Sequence, residues 1–460
     1  MPLPHLIRSK TRLAVGIGLV STLVAAIPVA AYYQSLTLTW SSYGHDAQHS
    51  AISAYTAANL NQIKWQKPVD LAPQYSGGDL FIHYGSPLIT SANTVIVPVK
   101  TGAVGGYRFD AVAGSNGAAK WSINTDYVLP PHNWTPSVSG CLTPRNRCYF
   151  PGAGGTVYYR DNPDANGGTF TGQLCFYGLS TYLANAGTYN GSVFINTPIT
   201  TDRYGSIYFG VHVTGANPAN IVNGIAKIRY DGVGSIAPVS ANGDATAVKV
   251  PTNCAPALSM DGKNLYIAIC SNSNFGVGYL SMWNTTTMAF VSKVRLKDAK
   301  FGGDANIPSD GTASPTVGPD GDVYFGVLET SIGTNHDRGY LLHFNNNLSI
   351  TKTPAAFGWD DTASVVPASM IPDYVGPSSY LLCIKYNNYA GVGGDGVNKV
   401  AVVDPNQTAV DPISGVTAMK EIKTVTGVTP DAEFRPSKPL AVREWCINTA
   451  AIDPTTNSII

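Results

Sequence analysis

The sequence predicts an all-β protein, a seven-bladed β-propeller whose last blade is either incomplete or closed by a strand from the amino-terminal end. Composition, the restriction of helical periodicity to the first thirty-odd residues, and a three-strand phrase that keeps returning predict it together. The 460 residues include 29 basic and 29 acidic side chains, a net charge of +0, and only 13% are charged. That balance steers the chain toward no polyanion, so nucleic acid is excluded as a partner class. Glycine occurs 47 times, proline 31 times and tyrosine 25 times, a composition of tight turns and half-buried strands rather than of long charged helices.

The amino terminus is read separately. Arg8, Lys10 and Arg12 precede an apolar run from Leu13 to Ala31 that ends at Tyr32-Tyr33-Gln34. Residues 1–31 are therefore either an export signal, with Val29 and Ala31 suiting cleavage, or an uncleaved membrane anchor, since about 19 apolar residues nearly span a bilayer. Both readings place residues 32–460, the single propeller domain, outside the cytoplasm: secreted, periplasmic or on the cell surface.

From residue 50 onward the unit of organisation is a blade. A small residue and proline open a first strand, as in GSPLI at 85–89, TPSV at 135–138, TPIT at 197–200, APAL at 255–258 and SPTV at 314–317. SVVP at 364–367 and TAAI at 449–452 are degenerate copies. Second strands follow at NTVIVP (93), RCYF (147), GSIYFG (205), NLYIAI (264), GDVYFG (321), SYLLCI (379) and NSII (457). Third strands follow at GYRFDA (106), GTVYYR (155), GIAKIRY (224), GYLSMW (278), GYLLHF (339) and NKVAVV (398). Prolines 87, 136, 198, 256 and 315 mark intervals of roughly 50–60 residues, the length of a four-stranded blade with an elaborated loop. One blade buries little by itself, and stacking blades around an axis makes the continuous core.

Fourth strands are weaker, AAKWSI at 118–123 and AFVSKVRL at 289–296 being the clearest. IKWQKPV at 63–69 has the same outer-strand pattern and is expected to close the seventh blade. A long loop is expected near 405–445. The seventh blade lacks a third strand in this reading, and its open edge invites a strand donated by a partner.

Seven cysteines, at 141, 148, 175, 254, 270, 383 and 446, form no CxxC or adjacent pair, which leaves zinc-ribbon and c-type haem readings without support. For an exported chain, Cys141 with Cys148 and Cys254 with Cys270 are the expected disulfides, the first flanking a proline-containing turn and the second on neighbouring strands.

WSSYGHDAQHS at 40–50, followed by SPLI…VIV…GYRFDA…W from 86 to 121, resembles the pyrroloquinoline-quinone-like (PQQ-like) propeller superfamily, which includes quinoprotein alcohol dehydrogenases and the outer-membrane assembly lipoprotein of BAM complexes. The resemblance covers about residues 40–460. It implies that the opening phrase is a packing and closure element, with His45, Asp46 and His49 bracing the chain as it enters the ring. The paired histidines lack the helix and intervening glutamate of a metalloprotease site.

Quinoprotein dehydrogenase chemistry would need a metal-bound quinone, an aspartate base and, often, an adjacent-cysteine disulfide. This chain has no such cysteine pair and no Glu/Asn/Asp trio that aligns to that pattern. Acidic clusters do precede or interrupt blades: Asp304 and Asp310 in GGDANIPSDGTAS, Asp360 and Asp361 in GWDDTAS, and Asp395 in GGDGVNK. Loops that enter first strands gather at one mouth of the ring, where such oxygens would take calcium; their alternative is turn-making with local backbone. His132, Asn133 and Trp134 enter at the same mouth. The function expected is a non-catalytic scaffold that binds another protein or a cell-envelope glycan, with quinone-dependent oxidation of an alcohol or sugar as the alternative.

Overall fold

Antiparallel sheets follow one another along the chain, and consecutive strands within each sheet pair with their neighbours. The computed structural model describes residues 39–57, 61–76, 79–135, 137–167, 171–397, 399–426 and 449–460, all within one unit, Thr37–Ile460. The leader, Cys446 and most of the expected 405–445 loop's second half lie outside the described residues.

Blade one is Leu88–Ile89, Thr94–Lys100, Gly105–Ala113 and Ala119–Val128. Blade two is Cys141–Thr143, Arg147–Pro151, Thr156–Asp161 and Thr171–Cys175. Blade three is Thr200–Thr201, Ile207–Val213, Gly224–Ile228 and Gly234–Pro238, with Val193–Ile195 paired to the far half of its second strand. Blade four is Ala257–Leu258, Asn264–Cys270, Gly278–Asn284 and Phe290–Arg295. Blade five is Thr316–Val317, Val323–Val327, Tyr340–Phe344 and Thr351–Ala355. Blade six is Ser364–Pro367, Tyr380–Tyr386, Lys399–Val410 and Thr417–Thr426. Blade seven, among the described residues, is the hairpin of Ile452–Asp453 with Ser458–Ile459. Among the described residues the propeller is thus unclosed at one edge.

Alternation along each strand sends successive side chains to opposite neighbours. Phe109 of blade one stacks on Phe150 of blade two at 4.3 Å between ring centres, and burying such a ring contributes about 1.5–3 kcal/mol. Tyr324 of blade five and Tyr380 of blade six meet through their hydroxyls at 2.6 Å. Arg338, fully buried, grips Asp411 at 2.6 and 3.1 Å, a two-point pair between blades five and six. Removing either partner would leave an uncompensated buried charge.

The opening phrase is the hub of the ring. Trp40 exchanges two backbone hydrogen bonds with Ile89 of blade one, and the Ser41 carbonyl accepts from Leu142 of blade two at 2.7 Å. The Ala47, Gln48, Ser50 and Ala51 carbonyls then accept from Leu258, Val317, Val365 and Ile452, the first strands of blades four, five, six and seven, at 2.7–3.0 Å. Ser53 closes the series by donating to the Ile452 carbonyl at 2.7 Å. To curl this tightly the segment takes positive φ at Gly44, His45, His49 and Ala51. Asp46 holds the curl: its carboxylate accepts from the Gln48 and Ser50 backbone N–H groups at 3.0 Å each and from the Ser50 hydroxyl, and it faces His45. Burial opposes its charge, but these partners outweigh burial and keep the carboxyl below the usual range. His49 donates from Nδ1 to the Pro315 carbonyl at 2.6 Å, and burial pushes it down to about 4, so it is neutral. These residues are scaffold, as the resemblance implies.

Three expectations are corrected. No disulfide joins Cys141 to Cys148 or Cys254 to Cys270; the six described cysteines are buried and free. In the blade-two hairpin Cys141 stands opposite Tyr149 and Cys148 opposite Leu142, so the two thiols leave opposite faces of the sheet and cannot meet. Cys254 lies ahead of the Ala257–Leu258 strand in a turn, its N–H bonded to the Pro251 carbonyl, and the backbone of Cys270 pairs with Lys249 instead.

Secondly, residues 63–70 do not pair with the blade-seven hairpin. Trp65 donates to the Gly114 carbonyl at 2.8 Å, Lys67 reaches Asp110 at 2.7 Å, and buried Asp70 meets buried Lys100 at 3.0 Å. Asp110 alternates with Phe109, so Lys67 reaches the face of blade one turned away from blade two, whereas Lys100, opposite Tyr107, shares the Phe109 face. Thirdly, within 405–426 the chain is not a long loop: residues 405–410 continue the third strand of blade six, 417–426 form its fourth, and only the turn at 411–416 joins them.

The hub yields a paired test. A Cβ on Gly44, at φ 62, would lie 2.9 Å from the His49 Cβ, whereas one on Gly262, at φ 73, would meet open space. Gly262→Ala should cost about 1 kcal/mol for the left-handed backbone alone, and Gly44→Ala roughly 1–3 kcal/mol more through overpacking. Denaturant midpoints of the two variants check this difference.

Candidate functional site

An antiparallel meander decides which loops share a mouth. If first strands start at one end of the ring, second strands return to that end and third strands leave from it, so the entry loops and the loops between second and third strands open together. A cavity of about 400 Å³ lies where such loops meet, within the roughly 300–1,000 Å³ of small-molecule sites.

Its entry-loop residues are Asn133 and Trp134 ahead of blade two, Pro308 and Asp310 ahead of blade five, and Trp359 and Asp360 ahead of blade six. The returning connections add Asn274 and Phe275 of blade four, Asp337 of blade five, and Lys385 and Tyr389 of blade six. A two-residue ribbon, Phe275–Gly276 against Ile307–Pro308, ties the blade-four loop to the entry of blade five, and Ser309 donates to the Asn274 carbonyl at 2.9 Å.

Asp310, only 5% exposed, accepts from the Asn133 backbone N–H at 2.9 Å through Oδ2. Its Oδ1 has no hydrogen-bond donor, and Lys249 stands 3.7 Å away. Asp360 sits at φ 56, a conformation aspartate tolerates, and receives the Thr312 backbone N–H and hydroxyl through its side-chain Oδ1 and its own carbonyl. Asp337, at φ 53, accepts from the Gly333 N–H at 2.6 Å, and burial raises its carboxyl. Lys385 Nζ lies 5.6 Å from the Trp359 ring centre, and Trp359 leans on Tyr389 at 6.0 Å. The indole N–H groups of Trp134 and Trp359 have no hydrogen-bond partner in the protein.

The five aspartates singled out from the sequence do not assemble. Asp310 and Asp360 line the cavity, and Asp361 is buried beside it, accepting from the Lys385 backbone N–H at 2.9 Å. Asp304 pairs with Arg295 and Lys297, each at 2.7 Å, and Asp395 pairs with Lys399 at 2.6 Å; neither lines the cavity. Among the described residues no group of three or more His, Cys, Asp or Glu side chains is arranged to hold a metal ion. His132 turns away, facing the Pro130 carbonyl and Gln74.

Asn274, Phe275, Asp337, Lys385 and Tyr389 were not anticipated. The meander rule above would have found them, because each sits at or beside a connection between second and third strands.

Burial pushes Asp361 up to about 7, with Lys385 opposing and the Asp360 charge adding to the rise. Below about pH 4 the acid is protonated both folded and unfolded. As pH rises toward 7 the unfolded chain ionises while the fold retains the proton, so this group's stability is lost across that window. Asp361→Asn should therefore match the parent's melting temperature near pH 4 and exceed it by a few degrees near pH 7.5, as read by calorimetric melts at both values.

No protein-family model matches this chain, and no curated protein matches it. Among solved structures it is similar to BamB from Moraxella catarrhalis at 12% identity, over 77% of this chain and 78% of that one, with a TM-score of 0.37. It is similar to the Dos1 propeller at 8% identity, over 80% and 71% of the two chains, with a TM-score of 0.44. A europium-containing methanol dehydrogenase is similar at 11% identity, over 91% and 67%, with a TM-score of 0.36. The likeness is one of β-propeller fold.

Proposed function

We propose that this chain is an exported, non-catalytic propeller of the PQQ-like type that binds a cell-envelope glycan at the mouth of its ring. The observation that carries the reading is the aromatic and carboxylate-lined cavity between blades two, four, five and six. Aromatic rings offer a flat apolar face to the C–H side of a sugar, and nearby carboxylates and amides fix hydroxyl positions. The basic and apolar leader of residues 8–31 supports export. A protein partner is the second reading, favoured by Ser458–Ile459, which pairs only with Ile452–Asp453 among the described residues and so offers an edge for strand addition.

The test is a glycan array probed with the purified protein, followed by calorimetry on the saccharides retained. Trp359→Ala should weaken binding roughly tenfold, the scale of a lost stacking contact, while Asp304→Asn, away from the cavity, leaves it unchanged; melts confirm that both variants fold. Retention of no saccharide, or quinone absorbance with dye-linked alcohol oxidation after pyrroloquinoline quinone and calcium are added, overturns the reading.

A further inference from the structure

We infer that the ligand at the mouth carries a protonated amine: an amino sugar, in preference to its acetylated, neutral or acidic counterparts. This rests on the glycan-binding reading and names the substrate class of the same site.

The cavity wall carries three carboxylates, Asp310, Asp337 and Asp360, against one ammonium, Lys385. Lys249 offsets part of the Asp310 charge from 3.7 Å, and Lys385 is drawn toward the Trp359 ring at 5.6 Å. Negative charge therefore remains in excess. Asp337 and Asp360 each commit one oxygen to a backbone N–H, which aims the carboxylate and leaves its second oxygen for a ligand. Asp310 is 5% exposed, and its Oδ1 receives no hydrogen bond, the Lys249 ammonium facing it from 3.7 Å without reaching bonding distance. A buried acceptor with a cation near but not bonded to it gains from a donor at hydrogen-bond distance, and a charged donor satisfies it best. The aromatic lining of Trp134, Phe275, Trp359 and Tyr389 adds attraction for a cation over a ring face.

Size separates the ligand classes that share this chemistry. A cavity of about 400 Å³ is larger than a bare quaternary ammonium head requires and accommodates a pyranose ring with its amine. An acidic sugar meets like charge, and an acetylated one buries a neutral amide where the carboxylates call for a cation.

Calorimetric titration of the full chain with a glucosamine trimer, its N-acetylated counterpart and maltotriose tests the inference. The free amine should bind roughly tenfold tighter than either of the others, as a charged hydrogen bond exceeds a neutral one. Asp337→Asn and Asp360→Asn should abolish that preference while neutral-sugar affinity persists. Asparagine keeps the acceptor and accepts φ values of 53 and 56, so these variants fold. Phe275→Ala, at the exposed rim, should weaken all three sugars alike. Equal affinities for the three overturn the amine preference and leave glycan binding standing. Absence of binding to every saccharide overturns glycan binding itself, and saturation by tetramethylammonium without any saccharide binding overturns both.

Discussion

The first strand of each blade is only two to four residues long, and its inner edge faces the axis, where backbone donors need partners other than the next strand. An inner N–H left without one inside a folded protein is unfavourable by an amount comparable to a lost hydrogen bond. The segment from Trp40 to Ser53 meets that demand in sequence order: its carbonyls accept from blades two, four, five, six and seven, and Trp40 both donates to and accepts from blade one. The rest of the ring depends on this arrangement, because it sets the spacing of the first strands and so the depth at which Phe109, Tyr324 and the other wedge residues meet their neighbours. The same turns explain why the phrase is dense in glycine, aspartate and histidine: a curl this tight needs positive φ and a side-chain acceptor, Asp46, to hold successive N–H groups.

Fixing first strands at the axis also fixes the mouth. Each entry loop must reach the hub from one side, and each second strand returns to that side, so residues from four blades face a common space without any long insertion. Lys249 and Asp310, or Trp359 and Tyr389, come close because of this geometry rather than through nearness in sequence. The blades supply stiffness through between-blade contacts such as the Arg338–Asp411 pair, and the loops supply the lining of the mouth.

Legibility followed the reach of each interaction. Strand runs such as NLYIAI and GDVYFG are local, since alternation and flanking glycine decide them, and the second and third strands of six blades lie where the repeat puts them. Asp310, Asp360 and Trp134 were legible as mouth residues because an entry loop's position follows from the repeat. Asp304 was not separable from Asp310 by spacing; two cations at and just past the end of the preceding strand, Arg295 and Lys297, claim it instead. The cysteines failed on register, where a shift of one residue reverses the face and leaves Cys141 and Cys148 back to back. Residues 63–70 carried an outer-strand pattern, yet the Trp65 and Lys67 contacts with Gly114 and Asp110 are side-chain choices that no alternation rule encodes, and the backbone bridge at Asp70 goes to Lys100 of blade one. Thr417–Thr426 was overlooked because most of its residues are exposed, which erases the period-two signal.

Unpartnered polar atoms alone do not tell scaffold from site. Trp40 Nε1, Ser42 Oγ and His49 Nε2 in the hub have no hydrogen-bond partner, as is true of Trp134 Nε1, Trp359 Nε1 and Asp310 Oδ1 at the mouth. Space separates them. The hub atoms are enclosed by the first strands they brace, and His49 is held neutral there because burial outweighs both its bond to the Pro315 carbonyl and the Asp46 charge. The mouth atoms border a cavity wide enough for a ligand, with carboxylates turned by backbone N–H groups and aromatic rings beside them. The histidine and aspartate cluster that looks most like chemistry in the sequence is therefore structural, and the binding proposed for the mouth would fall to aspartates that the sequence scatters over three separate loops.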